Sequence, residues 1–127
     1  VGCYLTFSNH LIEEKHTHDA GCNWLLGILE YARKETNGTA GIILSSEVLS
    51  EYIRSKYPEL KQKASIVKIA VERPSKRSFE YYDDLSKRFD RVMVAPDDNF
   101  ELPLLEKLAK NADKYEILVN ENCVKAS

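Results

Sequence analysis

Residues 40–60 read AGIILSSEVLSEYIRSKYPEL and contain one strand followed by one helix. The first seven residues, AGIILSS, contain an apolar run of five without alternation, which is typical of a strand covered on both faces. Apolar residues then recur at helical spacing, at Val48, Leu49, Tyr52 and Ile53. Ser46 is a predicted N-cap, and Pro58 bounds the helix near its end. The stretch therefore predicts one β-α unit of a parallel sheet.

The same unit recurs along the whole chain. Predicted strands cover residues 3–8, 40–46, 64–71, 91–95 and 115–120. Predicted helices cover residues 22–35, 46–60, 78–89 and 99–111, with Pro103 in the first turns of the last helix. Asp19 and Ser78 are predicted N-caps, and Asn37 with Gly38 is expected to end the first helix. The order is β-α-β-α-β-α-β-α-β, which indicates a parallel sheet built by right-handed crossovers.

Two architectures fit a single α/β domain over residues 1–127. One is half of a (β/α)8 barrel, whose complete form needs about 250 residues. The alternative is a flavodoxin-like open sheet, whose five strands suit this length. No GxGxxG or GxxxxGK[ST] pattern occurs, so nucleotide binding by a glycine-rich turn is not expected. We favour the half-barrel, and we expect the chain to be a fragment of a longer barrel protein.

Composition excludes several function classes. The 127 residues contain 18 Lys plus Arg and 20 Asp plus Glu, so the net charge of −2 gives no reason to expect nucleic-acid binding. No apolar run approaches the roughly 20 residues of a membrane span, and no signal peptide is visible. The three cysteines Cys3, Cys22 and Cys123 are widely spaced, which is typical of reduced thiols in a cytoplasmic protein.

Polar side chains follow the predicted strands, where the carboxyl ends of parallel strands meet. We expect catalytic groups among the acids and the thiol near the last two strands, namely Asp97, Asp98, Glu121 and Cys123. We expect substrate-binding groups at Asn9, Ser45, Ser46, Glu72 and Asn120. Carboxylates and amides brought together in this way can hold a divalent cation, a sugar or a peptide.

All three histidines of the chain lie in the loop after the first strand. His10, His16 and His18, with Asp19 beside them, carry imidazole nitrogens that bind zinc and similar metals. The loop is long for a strand-to-helix connection, and such loops are often functional. We therefore predict a metal site at these histidines, with the identity of the metal left open.

The last third of the chain resembles a known family. RVMVAPDDNFELPLLEKLAKNADKYEILVNENC, residues 91–123, is similar to the segment of bacterial collagenase-like peptidases in which a strand of the type EVFVHGALC ends in a cysteine. SSEVLSEYIRSKYPELK followed by ASI also resembles the preceding units of that family's barrel. The resemblance covers roughly residues 40–123.

This resemblance implies a (β/α)8 barrel linked to peptidase activity or to oxygen-independent hydroxylation of RNA or quinone precursors. It also implies an iron–sulfur cluster held by several cysteines, with Cys123 matching the first of them. The chain has Asn120 where that pattern has histidine. A cluster needs about four ligands, so it is expected only if a further C-terminal half supplies more cysteines.

Two function classes follow from these patterns. The first is a hydrolase or metal-dependent enzyme related to collagenase-like peptidases, acting on a small-molecule or peptide substrate with water activated by a metal or a carboxylate. The second is a non-catalytic module, flavodoxin-like or half-barrel, that acts by interaction. Open strand edges favour pairing with another chain, so a homodimer is expected.

Overall fold

The computed structural model describes residues 2–75 and 77–119, and it contains one five-stranded, all-parallel sheet. The strands are β1 Gly2–Phe7, β2 Thr39–Leu44, β3 Lys61–Ala64, β4 Arg91–Met93 and β5 Tyr115–Glu116. The α-helices are α1 Ala20–Thr36, α2 Glu47–Lys56, α3 Ile66–Glu72, α4 Phe79–Arg88 and α5 Leu102–Leu108. Shorter 3-10 helices cover Glu14–His18, Pro96–Phe100 and Ala109–Lys114. The α/β class and the parallel sheet are therefore confirmed.

The predicted helix caps are confirmed at four positions. The Asp19 carboxylate accepts a hydrogen bond from the Cys22 backbone N–H at 2.7 Å. Ser46 and Ser78 cap α2 and α4 in the same way. Asn37 ends α1 with φ 49° and ψ 33°, a left-handed conformation that asparagine tolerates better than most residues. These residues fix the start of α1, α2 and α4 and the end of α1.

Replacing Asp19 with alanine is expected to lower the free energy of unfolding by about 1 kcal/mol, because the first turn of α1 loses the side-chain acceptor of its N–H groups. Asp19→Asn is the matched control, since asparagine caps helices about as well as aspartate. Urea unfolding of the three proteins measures the difference. Equal losses for alanine and asparagine would show that the charge of Asp19 matters rather than the cap.

The third predicted strand, residues 64–71, is wrong. Those residues form the end of β3 and then α3, which Ser65 caps by accepting a hydrogen bond from the Lys68 N–H at 3.2 Å. The strand itself is the polar run KQKA, in which Gln62 and Ala64 are buried and alternate with more exposed lysines. The β-branched residues after Ser65 favour a strand by propensity, but the cap and the burial of one helical face determine the structure. Glu72 and Arg73 thus lie at the end of α3 and not at a strand end.

The last predicted helix is interrupted. Residues 99–111 are divided among two 3-10 helices and α5, and Pro103 lies in the first turn of α5 as expected. Asn111 has φ −133° and ψ 48°, which breaks the helix before β5. β4 and β5 are also shorter than predicted. Residue 120, the predicted end of the fifth strand, lies outside the described residues.

The strands lie in sequential order, β1-β2-β3-β4-β5. A flavodoxin-like sheet has a point where the strand order reverses, whereas the strands of a barrel follow one another in sequence. The sequential order therefore favours the half-barrel over the alternative, although the size and parallel sheet suit both. Successive right-handed crossovers in one direction place all helices on the same face of the sheet.

The apolar core lies between the helices and one face of the sheet. The strand residues in this core alternate onto that face, at Ala40, Ile42, Leu44, Ala64 and Val92. The buried helical residues that meet them are Leu26, Leu29, Leu49, Ile53, Ile69, Tyr82, Leu85 and Leu108. No helix in the described residues is both long and apolar enough to cross a membrane.

The opposite face of the sheet carries charged side chains and no member of the buried apolar core, within the residues described. Lys63 lies opposite Arg91 in register, and the Glu116 carboxylate accepts from both, at 2.8 and 3.5 Å. The Lys63 ammonium also lies 4.1 Å from the centroid of the Tyr4 ring. Gly41 is required there, because a Cβ would lie 2.5 Å from the Lys61 backbone oxygen and 2.5 Å from a Tyr4 ring carbon. We call this the open face.

Candidate functional site

A cavity of about 270 Å³ lies at the carboxyl end of the sheet, where the loop after β1 and the start of α2 meet α3. It is lined by His10, Ile12, Ser45, Ser46, Glu47, Val48, Lys68, Val71 and Glu72. Four of the predicted site residues are therefore brought together: His10, Ser45, Ser46 and Glu72. We call this cavity the strand-end pocket.

The serines of the pocket are held by local hydrogen bonds. Ser45 and Ser65 follow neighbouring strands, and their hydroxyl oxygens lie 2.6 Å apart. Ser46 accepts a hydrogen bond from the Leu49 N–H at 3.2 Å, as the cap of α2. Capping uses the acceptor side of the Ser46 hydroxyl, so its proton can still be donated to a bound molecule.

The Lys68 side chain is fully buried and connects the two carboxylates of the pocket. Its ammonium lies 2.7 Å from Glu47 Oε1 and also donates to Glu72 Oε1. Glu47 in turn accepts from Arg88, and Glu72 Oε2 accepts from the Tyr81 hydroxyl at 2.7 Å. A buried ammonium is stable only when it is paired, so this network fixes both carboxylates in position.

Glu47 is held in its ionised form. Burial alone would raise its pKa, but the hydrogen bonds and charges of Lys68 and Arg88 outweigh burial and keep the pKa below the usual value. Burial and the hydrogen bond to Glu72 raise the pKa of Tyr81, so the hydroxyl remains a neutral donor. The pocket thus presents the ionised Glu47 carboxylate beside hydroxyl groups and an imidazole.

Because the pKa of Glu47 is lower in the folded state than its ordinary value of 4.5, its ionised form stabilises the fold above that pH. This contribution is lost as the pH falls through the lowered pKa. We expect wild type to be more stable than Glu47→Gln near neutral pH and the difference to vanish in acid. Urea unfolding of both proteins across this range measures it, and a difference that grows in acid would contradict the assignment.

Asp98 lies in a buried hydrogen-bond network. Its Oδ2 accepts from Arg77 Nε and from the Tyr82 hydroxyl, each at 2.5 Å, and only 6% of the residue is exposed. The Tyr82 hydroxyl also accepts from the Ala95 N–H at 3.1 Å. Burial, followed by the hydrogen bond to Asp98, raises the pKa of Tyr82, so the hydroxyl stays a donor. Oδ2 of Asp98 is thus occupied by two donors, and the catalytic role of Asp98 stays a prediction.

Asp97 lies beside this network and faces solvent. Its carboxylate is 85% exposed and lies 3.5 Å from Arg77 Nη2. A separate cavity of about 340 Å³ is lined by Pro74, Ser75, Arg77, Asp97, Asp98, Glu101 and Leu104. The two aspartates thus belong to a different cavity from the strand-end pocket.

The three histidines have different surroundings. His10 lines the strand-end pocket, and His16 Nδ1 accepts a hydrogen bond from the Glu13 N–H at 2.9 Å. His18 is exposed at the end of its 3-10 helix. In the part of the chain that the structure describes, no three His, Cys, Asp or Glu side chains are grouped as a metal ion requires. The structure thus gives the predicted histidine metal site no support.

Asn9 and the cysteines lie apart from the strand-end pocket. The Asn9 side chain accepts from the Leu11 N–H at 2.9 Å and stabilises its own loop. Cys22 is partly buried, and burial followed by the Asp19 charge raises the pKa of its thiol, whereas Cys3 is exposed. Asn120, Glu121 and Cys123 lie outside the described residues.

Lys68 is the functional candidate that the sequence did not reveal. The sequence predicts a strand over residues 64–71, in which Lys68 would lie on one face of a sheet. A single lysine within the apolar run SIVKIAV is the available signal, because a charge in such a run must either reach solvent or find buried partners. Its partners Glu47 and Glu72 lie 21 positions before it and one helical turn after it.

Comparison of the chain with protein-family models, with curated proteins and with solved structures found no match in any of the three.

Proposed function

We propose that this chain carries the strand-end site of a cytoplasmic hydrolase related to the collagenase-like peptidases, with a peptide or another small amide as substrate. The observation that carries the proposal is the convergence of His10, Ser45, Ser46 and Glu72 on one pocket at the carboxyl end of a sequentially ordered parallel sheet. In barrels of this kind the active site is found at that end. The widely spaced cysteines support a reducing compartment.

In our proposal for amide hydrolysis at this pocket, His10, Ser46 and Glu72 each have one role. The His10 imidazole takes a proton from water while the water oxygen bonds to the carbonyl carbon. The Ser46 hydroxyl donates to the oxygen on which negative charge develops. The carbon–nitrogen bond then breaks, and the proton held by His10 passes to the leaving nitrogen. Glu72, fixed by Lys68 and Tyr81, orients the substrate through its remaining acceptor capacity.

The test is release of new amino groups from a mixture of short peptides, measured with an amine-reactive dye. The purified chain is expected to release amines in its folded form and not after unfolding in urea. Addition of a chelator separates the alternatives for the activated water: retained turnover supports His10, and lost turnover supports a metal. No release from any peptide in the mixture would overturn the hydrolase proposal.

The second candidate is a module that acts by interaction, and the exposed apolar side chains of α1 favour it. Trp24 and Tyr31 are 66% and 65% exposed, and Leu25 and Ile28 are 41% and 46% exposed on the same helix. Contiguous exposed apolar groups of this size mark sites of protein association. Among the described residues, β1 is an edge strand, so its outer backbone groups pair with no other strand beside this helix.

A further inference from the structure

In the part of the chain that the structure describes, the edge of the sheet at β1 lacks the features that protect natural sheet edges. β1 is six residues long, reads GCYLTF, and contains no charged residue and no proline. It pairs with β2 in unbroken register from Gly2–Thr39 to Phe7–Leu44, so no bulge twists it away. Natural edge strands are usually short, charged, bulged or covered, because their free N–H and C=O groups are a template for another strand.

The side of α1 above this edge is apolar. Asn23 marks the opposite side, since it accepts from the Tyr52 hydroxyl and from Lys56 on α2. At about 100° per residue, Leu25 and Ile28 lie roughly 160° and 140° round the helix from Asn23. They therefore face away from α2, toward the β1 side, and both are partly exposed.

We propose that the β1 edge is the interface of a homodimer, in which β1 pairs antiparallel with β1 of a second copy. This names the partner for the interaction function given above as the second candidate. A two-fold axis perpendicular to the sheet would make one continuous ten-stranded sheet with both helix layers on the same side. In an antiparallel pair, two residues that lie opposite each other have their side chains on the same face of the sheet. The two-fold axis therefore passes beside one residue of β1, either Tyr4 or Leu5, and that residue lies opposite its own copy.

The spacing of the helices fits this arrangement. α1 connects β1 to β2, and the helix of a right-handed crossover lies over the groove between its two strands, which is one strand spacing from the axis. The two copies of α1 would then be two strand spacings apart, about 9.6 Å. Packed helices lie about 8–10 Å apart, so Leu25 and Ile28 of the two copies would come into contact. Backbone pairing and apolar burial are thus satisfied together.

A second copy in this orientation is favoured over a head-to-tail chain of copies. Head-to-tail pairing would join β1 to β5, but β5 has two residues and residues 117–119 are not in a strand. The two residues of β5 cannot form backbone hydrogen bonds along all six residues of β1. Pairing of β1 with itself uses its full length and closes after two copies, so no filament forms.

Disulfide trapping tests the geometry. In a background with Cys3→Ser, Cys22→Ser and Cys123→Ser, a single cysteine is placed at residue 4 or at residue 5 by Tyr4→Cys or Leu5→Cys. One of the two is expected to form a covalent dimer on mild oxidation, because residues on the axis face each other. A Thr39→Cys control on β2 is expected to stay monomeric. Failure of both variants to cross-link would overturn the antiparallel pairing.

Sedimentation tests the association without cross-links. Wild type is expected to be dimeric at high micromolar concentration, and Cys3→Lys with Thr6→Lys is expected to be monomeric, because two edge lysines repel their copies. Ala109→Lys with Asn111→Lys adds the same charge at exposed sites on another part of the fold and is expected to leave the dimer intact. A monomeric wild type would overturn the proposal. Peptide hydrolysis by the edge variant is measured separately, so loss of the dimer is distinguished from failure of the hydrolase proposal.

Discussion

Replacing Asp98 with alanine is expected to lower the free energy of unfolding by roughly 3–5 kcal/mol. The change removes the buried carboxylate partner of the Arg77 guanidinium, whose side chain is 3% exposed, and leaves only the solvent-exposed Asp97 carboxylate at 3.5 Å. It also removes the acceptor of the Tyr82 hydroxyl, which is fully buried in the core. A buried charge without a partner is among the largest single-site penalties in a folded protein. Urea unfolding monitored by far-UV circular dichroism measures the loss.

Asp97→Ala is the matched control for this prediction. The neighbouring carboxylate is 85% exposed and lies 3.5 Å from the same guanidinium, so its removal is expected to cost less than about 1 kcal/mol. Arg77→Met combined with Asp98→Leu is expected to recover most of the stability, because the pair is replaced by apolar groups. Similar losses for Asp97→Ala and Asp98→Ala would contradict the distinction between a solvated and a buried aspartate.

Replacing Lys68 with methionine is expected to reduce peptide turnover by at least about tenfold while the chain stays folded. Methionine fills a similar volume, and Glu47 and Glu72 keep Arg88 and Tyr81 as partners. Both carboxylates lose the ammonium that fixes their positions at the pocket. Lys68 acts through these residues, so it is a positioning residue. Turnover and the Michaelis constant are measured with the peptide assay.

Two further variants separate positioning from charge. Lys68→Arg keeps the charge and is expected to restore part of the turnover, whereas Lys63→Met removes a lysine from the open face and is expected to leave turnover unchanged. A drop in turnover that tracks the fall in unfolding free energy would indicate a structural role only. Unchanged turnover in Lys68→Met would show that Lys68 does not position the catalytic groups of the pocket.

Local signals in the sequence predicted most of the fold. The caps Asp19, Ser46 and Ser78 and the left-handed Asn37 each depend on residues within four positions, so single-sequence patterns identify them. β3 was missed because only one of its faces is buried and its other face carries Lys61 and Lys63. Its polar composition resembles a loop, and the β-branched run beside it imitates a strand.

The site was predicted in part for a related reason. His10, Ser45 and Ser46 follow strands directly, so the topology of a parallel sheet predicts that they meet. Glu72 also lines this pocket, but it lies at the end of α3, a helix that the sequence did not predict. The pairing of Asp98 with Arg77, 21 positions away, and the burial of Lys68 are tertiary contacts without a local signal. Such contacts decide whether an acid is a catalyst or part of the core.

The most direct measurement of the central claim, that the strand-end pocket is the active site, compares peptide hydrolysis by wild type, His10→Asn and His18→Asn. His10 lines the pocket, whereas His18 is exposed in the 3-10 helix and does not line it. The account predicts a loss of roughly 10²–10⁴-fold for His10→Asn, the usual contribution of a general base, and wild-type turnover for His18→Asn. Equal turnover in all three proteins, or equal losses in the two variants, would contradict it.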